Sequence, residues 1–142
     1  ESLSPEERDA LRRRLHALGD DAAHTLKPPL DSAIHSYETV LVLTHVPPFR
    51  ESAWYGGRIS GDDWLPLTTC QAVGDALRAA AASAPQVRIE VLCGHTHGEG
   101  HAKILPNLRT TTRAVINSSL AVIVLDFILS ALGYFFFQSR GL

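Results

Sequence analysis

The sequence predicts an α/β fold with a parallel β-sheet, and three observations support this prediction. The chain has two apolar runs of strand length, residues 40–43 and 87–93, as expected of buried parallel strands. A segment with helical character precedes each run, so helix and strand alternate along the chain. Both runs end at residues that stop a strand, Pro47-Pro48 after the first and Gly94 after the second.

Two helices are predicted before the first strand. Residues 4–7 (SPEE) combine a serine cap, a proline at the first helical position and the glutamate of a capping box. Leucines at helical spacing follow, and Gly19 predicts the end of this helix. Residues 28–37 open with two prolines and predict a second, shorter helix.

A long loop and a further helix are predicted between the two strands. The loop, residues 49–68, is rich in aromatic residues and contains the acidic pair Asp62-Asp63. A loop of this length within a compact domain is usually functional. Residues 69–83 are rich in alanine and predict a helix, which Pro85 ends.

Composition narrows the classes of protein that fit. The 142 residues are 45% hydrophobic and 20% charged, with a formal net charge of -2, which suits one ordinary domain. No basic face dominates, so nucleic acid is not expected as a partner. The two cysteines form no C-x-x-C motif and no secretory signal is present, which favours a cytoplasmic location. The chain has no methionine, even at position 1, so we expect it to be part of a longer product.

Histidine follows each predicted strand at its carboxyl end. His45 follows the first strand, and His95 and His97 follow the second. Ligands of open α/β sheets bind at that edge. On extended backbone, His95 and His97 would project to the same side about 7 Å apart, which suits one metal ion or two ions roughly 3.5–4 Å apart. For His45, an ordinary hydrogen-bonded core histidine is the alternative.

Two stretches, VLVLTHVPPF at residues 40–49 and VLCGHTHGEG at residues 91–100, resemble the calcineurin-like metallophosphoesterase family. The resemblance extends over residues 4–108. It implies the C-terminal half of a metallophosphoesterase α/β sandwich that hydrolyses a phosphomonoester or phosphodiester. It also implies two divalent metal ions (Mn, Fe or Zn), with His45 and His95 on one ion and His97 on the other.

The aromatic loop is the predicted substrate-binding element. Trp54, Tyr55 and Trp64 are predicted to cover the metal cleft and to stack on an organic substituent of the phosphoester. Arg58 or Arg50 is predicted to hold a phosphate oxygen. Ordinary packing of the loop against the domain is the alternative.

Three motifs of the family are missing from this chain: D-x-H, G-D-x-x-D and G-N-H-[DE]. No aspartate stands two positions before any of the seven histidines. The Gly-Asp pairs at 19–20, 61–62 and 74–75 all lack the second aspartate. We therefore expect residues 1–108 to form an incomplete domain that, alone, binds metal weakly and hydrolyses phosphoesters slowly or not at all.

The tail, residues 109–142, is a second departure from the family. Its residues 120–137 include only two clearly polar residues, Asp126 and Ser130, and predict a transmembrane helix. A pair of buried strands is the alternative. The tail resembles the C-terminal helix of the permease subunit of Mla-type lipid-transport ABC transporters. That resemblance implies membrane association and an alternative function, a transporter-permease fusion fragment with no catalytic activity.

Overall fold

Residues 4–113, together with Phe127 and Ile128, are the part of the chain that the computed structural model describes. Residues 4–113 form three α-helices, one short 3-10 helix at Arg50–Ser52, and six strands. In chain order the helices and strands are α1 (Pro5–Ser36), β1 (Thr39–Leu43), β2 (Trp54–Tyr55), β3 (Arg58–Ile59), α2 (Leu65–Thr68), α3 (Gln71–Ser83), β4 (Arg88–Cys93), β5 (Gly100–Leu105) and β6 (Leu108–Thr112).

Four of these strands form one sheet in the order β1-β4-β6-β5. The strands β1, β4 and β6 run parallel, and β5 pairs antiparallel with β6. The α/β class and the parallel pairing of the two predicted strands are therefore confirmed. The sheet also extends through β6 to Thr112, four residues beyond the predicted end of the domain at residue 108.

Helix α1 is one continuous helix of 32 residues, so the predicted end at Gly19 and new start at residue 28 are wrong. The capping box at its start is present, since Ser4 Oγ accepts from the Glu7 amide and Glu7 accepts from the Ser4 amide. Gly19 lies against Cys70, beside the start of α3, where a small residue permits close approach. Packing thus overrides the local tendency of glycine and proline to break a helix.

Helices α1 and α3 cover one face of the sheet and enclose the core. Fully buried side chains from α3, β4 and β6 meet there, namely Leu77, Ile89 and Leu108. The opposite face is open among the described residues: Leu41 is 59% and Leu43 72% exposed. The prediction that residues 40–43 are buried on both faces is therefore wrong, because within the described part of the chain helices cover β1 on one face only.

The predicted loop at residues 49–68 is folded rather than open. After the 3-10 helix, β2 and β3 form a two-stranded hairpin whose turn is Gly56-Gly57. Both glycines have positive φ, 57° and 78°, as a two-residue type I′ turn requires. Helix α2 follows the hairpin, and Cys70 donates its backbone N–H to the Pro47 carbonyl, which returns the chain to the end of β1.

The predicted membrane span, residues 120–137, lies outside the described residues apart from Phe127 and Ile128. Among the helices that are described, none is both long enough and apolar enough to cross a membrane.

Candidate metal-binding site

His45 and His95 lie side by side at the carboxyl edge of the sheet. Nδ1 of His95 is 3.2 Å from Nε2 of His45. The ring centroids are 5.1 Å apart and the ring planes meet at 72°. One nitrogen donates a hydrogen bond to the other, and the tautomers decide which. The structure thus brings together two of the three histidines predicted to bind metal.

The backbone of two neighbouring parallel strands produces this approach. Strand β1 pairs with β4 up to Leu43 opposite Leu92. The ladder continues beyond the strands, since Thr44 N–H donates to the Leu92 carbonyl at 2.9 Å and Gly94 N–H donates to the His45 carbonyl at 3.0 Å. His45 is therefore bonded through its backbone to the residue that precedes His95.

His95 and His97 both adopt left-handed backbone conformations, with φ of 64° and 55°. They are the only residues other than glycine with positive φ in the described part of the chain. The prediction of extended backbone at these positions is therefore wrong. The Thr96 N–H donates to the Gly94 carbonyl at 2.8 Å and closes a three-residue turn around His95. Such conformations cost of order 1–3 kcal/mol each and are concentrated at functional sites.

His97 is exposed, and it does not complete a larger cluster. Within residues 4–113, no group of three or more His, Cys, Asp or Glu side chains converges so as to hold an ion. The site that these residues form is a pair of imidazoles, His45 and His95. Binding of a second ion by His97 stays a prediction.

Trp54 packs directly beneath the loop that follows the histidines. Its indole N–H donates to the Glu51 carbonyl at 2.9 Å. A Cβ atom at Gly98 would collide with the Trp54 carbonyl, and one at Gly100 would collide with the indole ring. Trp54 thus packs against the histidine loop, and its predicted binding of substrate stays a prediction.

The other predicted substrate-binding residues are exposed. Tyr55 and Trp64 are 66% and 64% exposed, and Arg58 lies in the hairpin beyond the Gly56-Gly57 turn. Arg50 instead forms an ion pair with Asp62, with 2.7 Å between Nη2 and Oδ1. Substrate binding by Tyr55, Trp64 and Arg58 stays a prediction.

The contact of Trp54 with two glycines was not foreseen from sequence. The pattern G-E-G at residues 98–100 predicts only an irregular loop, and nothing local indicates which side chain it crosses. Comparisons with models of protein families, with curated proteins and with solved structures found no match to this chain. The chemistry of the site therefore rests on the imidazole pair and on the turn that carries His95.

Proposed function

We propose that this chain is the C-terminal half of a metal-dependent phosphoesterase domain, in which His45 and His95 bind the same divalent metal ion. The observation that carries the proposal is the 3.2 Å between the two ring nitrogens. Two nitrogens bound to one ion at about 2.0–2.1 Å lie roughly 2.9 Å apart at a right angle and roughly 3.4 Å apart at the tetrahedral angle. The observed separation falls between these limits, so one ion can bind both nitrogens without a change in their separation, once the hydrogen-bonding proton has left and the rings have turned their lone pairs toward the ion.

The surroundings of the pair also support a ligand site. Both histidines are exposed at the edge of the sheet, so an ion can reach them from solvent. The left-handed turn at His95 is strained, and strain of this kind persists where function requires it. Imidazole nitrogen suits Zn, Fe and Mn, with geometry and supply deciding among them.

Bound divalent ions supply Lewis-acid stabilisation of the attacking and leaving oxygens in phosphoester hydrolysis. The chain's own residues would orient the substrate beside them. Tyr55 and Trp64 offer exposed rings for stacking on an organic substituent, and Arg58 offers a guanidinium group for a phosphate oxygen. Because only two ligands converge among the described residues and the aspartate motifs are missing from the sequence, we expect weak metal binding and little or no hydrolysis by this chain alone.

Metal titration of four proteins tests the proposal: the wild type, His45→Ala, His95→Ala and His24→Ala. Co²⁺ serves as a spectroscopic probe, and calorimetry gives its affinity. We expect each site variant to bind at least about tenfold more weakly than the wild type, since each loses one of two ligands. His24 is an exposed histidine of α1 and serves as the matched control, with unchanged affinity.

Two results would contradict the proposal in different ways. If both His45→Ala and His95→Ala bound Co²⁺ with wild-type affinity, the two histidines would not be the metal ligands. Rapid turnover of an aryl phosphate by the purified chain would show that the described ligands are sufficient, and would overturn the expectation that the domain is incomplete.

A further inference from the structure

The hairpin root, residues 52–54 at the start of the β2–β3 hairpin, is fixed in place without help from the histidines. Ser52 and Ala53 are buried beneath it, at 1% and 0% exposure. The Thr112 hydroxyl donates to the Ser52 carbonyl and ties the root to the end of β6. Ser60 N–H donates to the Ala53 carbonyl and closes the hairpin. Trp54 is therefore held against the sheet by contacts that do not involve the histidine turn.

The histidine loop crosses this fixed residue at two points. Gly98 passes over the Trp54 carbonyl and Gly100 passes over the indole, both so closely that a Cβ atom would collide. Upstream, the loop is anchored by the hydrogen bond between Gly94 and His45. The two left-handed histidines thus lie on a short segment that is anchored at both ends.

We infer that Trp54 is a positioning residue for the metal site, and that it acts through Gly98 and Gly100. A short loop anchored on both sides has few conformations to explore, so the strained turn at His95 cannot relax to extended backbone. If the histidine loop is raised off Trp54, the downstream end of the loop is no longer anchored. The imidazoles of His45 and His95 can then separate. Trp54 itself touches neither metal nor substrate in this role, which rests on the proposed metal binding by His45 and His95.

Single substitutions at the glycines test this inference in the full chain. Gly100→Ala and Gly98→Ala each place a methyl group against Trp54. Gly61→Ala is the matched control, because its Cβ meets no atom within 4 Å and its φ is not positive. We expect about a tenfold loss of Co²⁺ affinity in the two loop variants, as for residues that orient ligands without binding the ion, and none in the control.

A second measurement separates positioning from general destabilisation and does not need metal. In the metal-free protein, NMR couplings report φ at His95 and His97, and through-space contacts report the approach of the His45 and His95 rings. We expect Gly100→Ala to lose the positive φ and the ring contact while the through-space contacts among the core strands stay as in Gly61→Ala. Trp54→Phe, which keeps a ring but removes the indole N–H, is expected to show the same change in weaker form.

Retention of the ring contact and of wild-type Co²⁺ affinity in both glycine variants would overturn the inference. A different pair of results would separate the two proposals. If Gly100→Ala loses the ring contact but His45→Ala binds Co²⁺ as the wild type does, Trp54 positions the histidine turn and the proposed metal site is refuted. The two failures are therefore distinguishable.

Discussion

Nε2 of His45 and Nδ1 of His95 lie 3.2 Å apart although the two residues are 50 positions apart in the sequence. Parallel pairing of β1 with β4 produces this proximity, because the carboxyl ends of neighbouring parallel strands meet at one edge. The strands β1 and β4 pair directly, so the two rings lie at the end of a single hydrogen-bonded ladder. Any change that shifts β1 against β4 therefore changes the site.

Metal addition is expected to stabilise the folded chain. An ion that binds only the folded state adds about 2.7 kcal/mol at a concentration a hundred times its Kd. Differential scanning calorimetry with and without Zn²⁺ measures this as a rise in melting temperature. If the affinity falls tenfold, the rise in His95→Ala should be about half that of the wild type, and smaller still for a larger loss, whereas it should be intact in His24→Ala. An equal rise in His95→Ala would show that the stabilising ion binds elsewhere.

The two glycines inside helices are expected to respond to alanine with opposite signs. A Cβ at Gly74 in α3 would collide with the Pro48 carbonyl and lie 3.1 Å from the ring of Phe49. Overpacking of this kind costs about 1–3 kcal/mol, and the obstacle is backbone that leads directly to His45. In Gly19→Ala the new Cβ meets only ordinary contact with Cys70, so helix propensity should raise stability by up to about 1 kcal/mol.

Urea denaturation of both variants checks this difference. Lower unfolding free energy in Gly74→Ala together with higher unfolding free energy in Gly19→Ala is the expected outcome. Stabilisation by Gly74→Ala would mean that α3 can move away from Pro48 at little cost.

The position of the site was predictable from sequence to the extent that it depends on strands. Apolar runs that end in histidine identify β1, β4 and the edge where His45 and His95 meet. The turn at His95 was not predictable, because left-handed backbone is uncommon even for histidine, which adopts it more often than most residues, and no local pattern marks it here. Trp54, which the histidine loop crosses at Gly98 and Gly100, lies some forty positions earlier in the chain.

The continuity of α1 was missed for a related reason. Gly19 and Pro28-Pro29 are local signals that usually end a helix. In the folded chain Leu30 and Ile34 follow the prolines and are buried in the core. Burial of two large side chains contributes roughly 3–6 kcal/mol, about as much as the prolines cost in an isolated helix. Burial depends on residues far away in sequence, which a local pattern does not contain.

The N-terminus of α1 is expected to lose stability in acid. Hydrogen bonds from the backbone and side chain of Ser4 lower the pKa of the Glu7 carboxyl. A lowered pKa in the folded state stabilises the helix above the ordinary glutamate value of about 4.3. This contribution disappears as the pH falls through the lowered value. Helicity measured by circular dichroism should therefore fall below about pH 4.

Glu7→Gln is expected to remove this part of the pH dependence, since the amide oxygen can accept the same bond without titrating. Glu6→Gln changes the charge equally without touching the Ser4 bonds, so it should keep the wild-type profile. Identical profiles for the two variants would contradict the role of the capping box.

Asn107 is expected to be the most sensitive polar residue outside the site. Its amide nitrogen lies 2.9–3.2 Å from three carbonyl oxygens, those of Ala81, Ala84 and Val87, which share its two N–H hydrogens. It thereby joins the end of α3 and the segment before β4 to the turn between β5 and β6. Asn107→Asp replaces the donor with an acceptor that faces the same three carbonyls, and leaving them unpaired costs about 1–3 kcal/mol.

The matched comparison is Asn107→Ala, which removes the donor without adding a negative charge. We expect both variants to unfold at lower urea concentration than the wild type, with Asn107→Asp the less stable of the two. Because α3 packs against the segment that leads into the site, Asn107→Asp should also weaken Co²⁺ binding slightly. Equal stability of wild type and Asn107→Asp would show that water replaces the amide at this junction, and that the end of α3 does not depend on it.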